Sequence, residues 1–438
     1  MPTERPPGPD GLPLIGNTLD YFRRTYDYRT ECAREYGDVV YMEVMRTPTY
    51  LVVHPEDVER VLRTDSEVFK NPEFLEKQLK PVMGDGLSTT TKESWRWQRR
   101  LIQPALHRNR VLEYEDLMAD TVRSFVEGWS AGDVVEIDRA IERLTMRILI
   151  LSLFGAGISE RKIDEVADAM RGLYERSVIV PSWVPTPSNR RFNRALETMH
   201  DVTDELIERR RGDAAGRQDL ISHMITAEDE DGDGMSDALV RDNVKTFLLA
   251  GHETVATSLT FLMDLLARNP GIQREVAAEI DEVVDGDTPS REERRDLEYT
   301  TAAFRESLRL YPPIHSISRE PTESIQLGDY EVPEGSMVTV SAWVPHRDPR
   351  WWETPETFDP DRWMGETRDR PEFAYFPFGG GPHVCIGRHF ARMEAKIILS
   401  QFLGNFEFRT DSLEAPDLQP GFTTQPGKAI ELELRERR

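Results

Sequence analysis

The chain is poor in cysteine: its 438 residues include only Cys32 and Cys385. Two thiols cannot staple a secreted scaffold, so a reducing, cytoplasmic setting is expected. Lysine is scarce too, found only at Lys70, Lys77, Lys80, Lys92, Lys162, Lys245, Lys396 and Lys428. With 79 Asp and Glu against 55 Lys and Arg, the net charge is −24. That balance speaks against a nucleic-acid partner, which needs a basic face. It fits a halophilic, salt-rich cytoplasm, where screening weakens self-repulsion, or an ordinary acidic protein from an arginine-rich genome. Long apolar runs are also missing. The longest, Ile148 to Phe154, falls far short of the roughly 20 residues that span a bilayer. The start, MPTERPPGPDGLPLIGN, has no apolar signal region. A soluble protein without a membrane anchor is expected.

Helix-like amphipathic segments dominate from about Glu93 to Leu310. The most apolar, NVKTFLLAGHETVATSLTFLMDLLARNP, should be a buried helix that stops at Asn269–Pro270, because the residue before proline avoids the helical region. Strand-like pieces are short: VVYMEV, TYLVVH and SIQLGDYEVPEGSMVTVSAWV. The expected fold class is mainly α with small peripheral β-sheets. No composition break marks a second domain, so residues 1–438 read as a single domain and a monomer.

Chemistry concentrates in 378-FGGGPHVCIGRHFARMEAK-396. Gly379 to Gly381 carry no Cβ, permitting a tight turn and the approach of a flat ligand. Phe378 offers an aromatic face. The run after Cys385 has helical periodicity, and a helix N-terminus stabilises a thiolate. Local physics leaves several roles open: nucleophile, redox thiol, zinc ligand with His389, sole protein ligand to a haem iron, or inert buried cysteine.

The stretch resembles the cytochrome P450 family of haem-thiolate monooxygenases. Phe378, Gly381, His383, Cys385 and Gly387 match the F-x-x-G-x-[HR]-x-C-x-G signature, and Ala391 and Glu394 continue it. Three further stretches look like the family's motifs. In 306-ESLR-309, Glu306 and Arg309 share a helix face. By itself this reads as a surface ion pair of little worth. With 355-PETFDPDRW-363, the resemblance implies that Arg362 completes a Glu-Arg-Arg network. In 250-AGHETVATS-258 the bland reading puts His252 and Glu253 on a solvated strip. The resemblance to A-G-x-[DE]-T implies instead that Ala250, Gly251, Glu253 and Thr254 face the oxygen side of a haem. Gly251 would make room for oxygen, and the carboxylate–hydroxyl pair would deliver protons. Val255 stands where many members have a second hydroxyl. In 95-WRWQR-99, Trp95 and Arg99 match a W-x-x-x-R pair that holds a haem propionate, and Arg319 and His383 sit at further donor positions.

The resemblance covers nearly the whole chain. It implies the P450 fold, a triangular single haem domain, with haem b ligated through Cys385 and bordered by Phe378, Gly379 and Gly387. It also implies insertion of one atom of O2 into an apolar small molecule. Because the chain ends soon after Cys385, electrons are expected from an external ferredoxin or flavodoxin with its reductase, and Arg388 and Arg392 could dock such an acidic partner. The alternatives are a peroxide-driven or non-oxygenating haem-thiolate enzyme, and a haem sensor. Fatty acid, terpenoid and steroid substrates all remain open. The expected lining is Lys70–Leu87, Gly172–Val184, Phe247–Thr254, Ile314–Ile317 and Phe422–Thr424, with His315 and Ser316 as polar contacts. The loop 229-DEDGDGMSDALV-240 only partly fits a calcium loop, since Val240 replaces the bidentate Glu.

Overall fold

The computed structural model describes residues 5–90, 92–155, 158–174, 184, 186–286, 288–365, 370–419 and 421–437. The chain forms two compact units. The first comprises Met1–Leu75, Ala302–Cys385 and Pro416–Lys428. The second comprises Glu76–Thr301, Ile386–Ala415 and Ala429–Arg438.

The first unit is built on a five-stranded sheet, in the order Val39–Val44, Thr47–Val52, Met337–Ser341, Ser316–Pro321, Phe69–Lys70. The pair Thr47–Val52 and Met337–Ser341 runs parallel and its other pairs antiparallel. Side chains alternate across a strand, and here both faces are covered. Val39, Val52, Val338 and Val340 enter one core with Phe373 and Phe376. Val40, Met42, Leu51 and Val53 enter another with Tyr21 and Tyr28. That explains why VVYMEV reads as nearly continuous apolar sequence, and it gives this sheet more than a trimming role.

The second unit is helical, with one small sheet among the described residues, ordered Val134–Glu136, Glu431–Glu436, Phe406–Arg409. Its longest helix, Asp237–Arg268, starts where the Ser236 side chain accepts from Leu239 N–H and stops at Asn269, before Pro270 opens the next helix. Nearly every residue from Asn243 to Ala267 is buried, as expected of a helix apolar on all sides. No helix among the described residues is long and apolar enough to cross a membrane.

Candidate haem and oxygen site

In the first unit the cysteine loop is a tight coil. Cys385 N–H donates to the Phe378 carbonyl at 2.9 Å, Val384 N–H to Gly381 at 3.1 Å and Gly379 N–H to Phe376 at 2.9 Å. Cys385 is exposed, whereas Cys32 is buried. The next helix begins at Arg388 with Gly387 as its cap. Gly379 and Gly381 have φ of +70° and +62°, a region that favours glycine. The neighbours that require glycine differ from expectation. A Cβ at Gly380 would stand 2.4 Å from the Phe373 ring, and one at Gly381 2.0 Å from the Leu62 carbonyl oxygen. These two residues let the loop press on its own unit. Clearance for a flat ligand is confined to Gly379, where the nearest atom to a Cβ is Ile317 Cδ1 at 3.6 Å, and Gly387, which has none within 4 Å.

Glu306, Arg309 and Arg362 come together as expected, and the surface-pair reading of ESLR is overturned: Glu306 and Arg309 are 0% exposed. Arg309 Nε and Nη2 grip the two carboxylate oxygens at 2.9 and 2.7 Å, and Arg362 Nε adds a bond at 2.8 Å. Two participants went unnoticed in the sequence. Trp363 Nε1 donates to Glu306 Oε2 at 2.8 Å. His346 offers its carbonyl to Arg309 Nη1 at 2.8 Å, and its Nε2 accepts from Phe376 N–H at 2.9 Å. Since Phe376 O receives Gly379 N–H, an unbroken chain of bonds runs from Glu306 to the cysteine loop. Burial, then the cations Arg309 and Arg347, push the His346 pKa well below its ordinary 6.5. The adjacent DRW and HRDP stretches were the available signals.

Arg319, on the strand Ser316–Pro321, donates to Asn71 Oδ1 at 3.4 Å and to the Ser318 carbonyl at 3.0 Å. Desolvation pushes its pKa down to about 10. A partly buried guanidinium whose hydrogen-bond acceptors among the described residues are neutral has the chemistry that fits a ligand carboxylate. His383 is exposed in the short turn Gly381–His383, and Phe378 is partly buried. The expected polar contact His315 is instead a structural group. It is buried, accepts from Arg29 Nη1 on Nδ1 and donates from Nε2 to the Gly421 carbonyl, both at 2.9 Å. Thr424 is likewise committed, to the Pro312 carbonyl at 2.7 Å, while Phe422 is exposed. Ser316 is partly buried.

In the second unit, Ala250, Gly251 and Thr254 form the accessible strip of an otherwise buried stretch of the long helix. Thr254 Oγ1 donates back to the Ala250 carbonyl at 2.7 Å, and Ser258 Oγ to Thr254 O at 2.7 Å. The solvated-strip reading of His252 and Glu253 is overturned, since both are buried, as is Val255. Gly251 is also closely packed on one side. A Cβ there would meet Leu149 Cδ1 at 3.0 Å, so the missing side chain makes room for Leu149. On the helix Lys92–Ile102, Trp95 and Arg99 are brought together one turn apart, with Arg99 Cζ 5.5 Å from the Trp95 ring centroid. Trp97 points elsewhere, donating to Asp229 Oδ2 at 2.8 Å. Asp229 Oδ1 accepts backbone N–H groups of Asp231 and Asp233, so this carboxylate staples its own loop. Of the expected lining, Phe247 is buried and Lys70, in the first unit, pairs with Glu320 at 2.9 Å. Residues 175–183, within the expected Gly172–Val184 segment, lie outside the described residues.

The cysteine on its glycine coil and the buried Glu-Arg-Arg network of the first unit, and the Thr-bearing strip on the long helix of the second, are residue sets that a haem-thiolate oxidoreductase would use. The chain belongs to the cytochrome P450 family, whose model matches residues 6–432. It is 36% identical over 421 residues to the cyclooctat-9-en-7-ol 5-monooxygenase of Streptomyces melanosporofaciens, covering 93% of this chain and 91% of that protein. It is 30% identical to the pentalenene oxygenase of Streptomyces avermitilis, covering 91% and 90%. The cyanobacterial CYP120A1 solved with retinoic acid bound shares the fold, with a TM-score of 0.89, full coverage of both chains and 22% identity. The protein is therefore a haem-thiolate monooxygenase acting on an apolar substrate with O2 and an electron-donating partner.

Proposed function

We propose that this enzyme hydroxylates a cyclic terpenoid, as a cytoplasmic, monomeric, single-domain protein carrying haem b. The observation that carries the substrate class is the 36% identity, over almost the whole chain, to a monooxygenase of cyclooctat-9-en-7-ol, with a pentalenene oxygenase beside it. One family model running from residue 6 to 432 supports the single domain. The bound haem supplies oxygen activation; the chain supplies ligation, orientation and protons. Cys385 is the thiolate ligand, with Phe378, Gly379 and Gly387 around it. Trp95, Arg99, Arg319 and His383 would hold the propionates. Thr254 orients oxygen-side water, and the buried Glu253 carries the proton, with Ala250 and Gly251 keeping the strip low.

For the electron donor we favour an acidic ferredoxin or flavodoxin with its reductase. Burial, and then the guanidinium charges of Arg388, Arg392 and Arg108, lower the pKa of His389. Such a cationic group stands out on a chain of net charge −24 and suits an acidic partner.

The reduced, carbon-monoxide-bound spectrum tests ligation. The red-shifted thiolate band should form and should vanish in Cys385→Ala. A panel of cyclic terpenes, steroids and fatty acids then tests the substrate, with a spin-state shift expected for the terpenes; a response to fatty acids alone overturns that class. The salt-rich setting we infer from charge predicts a melting temperature that climbs with NaCl, and a flat or falling response refutes it.

A further inference from the structure

The turn bearing Glu253 and Thr254 is held by an imidazole. His252 Nε2 lies 2.9 Å from the main-chain carbonyl oxygen of Glu142, in the helix Ile137–Ile148. A carbonyl only accepts, so the proton sits on Nε2 and Nδ1 keeps its lone pair. Nδ1 is buried and has no partner among the described residues. Glu142 is itself fixed, because its carboxylate takes Arg171 Nε at 2.7 Å and Arg171 Nη2, from the helix Glu160–Tyr174. Seven positions past Glu142, Leu149 fills the space that a Cβ on Gly251 would need. Adjacent residues of the long helix are thus gripped from one neighbouring segment, His252 by a directed bond and Gly251 by close packing.

An aliphatic side chain would fill the same volume without supplying the donor. A charged imidazole would supply the donor but would place a cation next to Glu253 and weaken its hold on a proton. Burial pushes the His252 pKa down to about 4, and Arg171 adds to the effect, so the group is neutral at working pH.

We propose that His252 is a positioning residue: as a neutral Nε2–H donor to the Glu142 backbone, it sets the rotation of the long helix that presents Glu253 and Thr254. This rests on the reading of Glu253 and Thr254 as the proton-handling pair. Gln can place its amide N–H near the Nε2 position, whereas Leu cannot donate.

Full-length, haem-loaded wild type, His252→Gln and His252→Leu are compared with NADPH, a plant-type ferredoxin and its reductase. Peroxide released per NADPH should rise about threefold or more in the Leu variant and stay near wild type in the Gln variant, with equal haem content and carbon-monoxide bands. Equal peroxide yields in all three overturn the inference while leaving the haem-thiolate reading intact; a wild type without the band sinks that reading instead. Should the Leu variant fail to bind haem, nitrogen-15 NMR of histidine-labelled ferrous carbonmonoxy enzyme decides. A non-titrating Nε2–H signal between pH 6 and 8 that disappears in His252→Gln is expected; an Nδ1–H or titrating signal overturns the assignment.

Discussion

Trp363 donates its indole N–H to Glu306 at 2.8 Å, on the carboxylate oxygen that also receives Arg309 Nε. Glu306 therefore accepts from two guanidinium groups, an indole and the Asp359 amide, with no exposed surface. Among the described residues its carboxylate is the one anion paired with the fully buried Arg309. Glu306→Gln leaves the buried Arg309 charge uncompensated, while Arg362 keeps Asp359 at 3.5 Å, and should cost about 3–5 kcal/mol. Trp363→Phe keeps the charges and should cost about 1.5–3 kcal/mol, the range for a bond to an ionised group. Urea unfolding of the haem-loaded enzyme checks both; equal losses would mean the indole matters through packing alone.

The chain Glu306–Arg309–His346–Phe376–Gly379 makes the cysteine loop sensitive to backbone fit. Gly381→Ala puts a Cβ 2.0 Å from the Leu62 carbonyl oxygen, at a φ of +62°. Strain of this kind costs about 1–3 kcal/mol before the collision is counted. Haem incorporation should fall and the melting temperature drop, whereas Gly387→Ala, with nothing within 4 Å of its Cβ, should be mild. A normal thiolate band and melting temperature in Gly381→Ala would contradict this.

Much of the site could be read from the sequence because rare residue types stand at fixed spacing. Cys385 among glycines, Glu306 three before Arg309, and Trp95 four before Arg99 are each local patterns that survive folding unchanged. What escaped was set by contacts distant along the chain. Gly381 answers to Leu62, Gly251 to Leu149, and His346 to Phe376 and Arg309. None of these neighbours is implied by local periodicity. The five-stranded sheet was hidden for the same reason, because Thr47–Val52 finds its parallel partner in Met337–Ser341. His315 misled because a histidine in a turn near the proposed pocket reads as a contact, while Arg29 and Gly421 absorb it.

Arg319 separates haem binding from folding. Its guanidinium is partly desolvated and pairs with no carboxylate among the described residues, which costs the haem-free protein. Arg319→Met should therefore leave the apo form as stable or slightly more so, yet speed haem loss to a scavenging globin about tenfold. If the apo form is destabilised and haem loss unchanged, the residue is structural and its proposed propionate role fails.

Three buried histidines give the fold an acid limit. Desolvation depresses His252 to about 4 and His315 to about 3, and holds His346 well below 6.5; nearby arginines add to each shift. Unfolded, all three would take a proton near 6.5. Their neutral forms therefore contribute full stability above that value and lose it as pH falls through 6.5 toward the folded values. Each uncompensated proton is worth about 1.4 kcal/mol per pH unit. Glu394 acts in the opposite direction: burial, with no hydrogen-bond partner among the described residues, raises its pKa well above 4.5, so its contribution is lost as pH rises above 4.5. Glu142 and Asp264 are raised by burial as well, while His200 and His389 are lowered like the other three; five imidazoles against three carboxyls make unfolding midpoints in urea fall between pH 6.5 and 5. His315→Gln keeps an amide donor for the Gly421 carbonyl and removes one titrating site. Its stability should fall less steeply with acid by one proton's worth, and an unaltered slope would show that His315 is already charged in the folded enzyme.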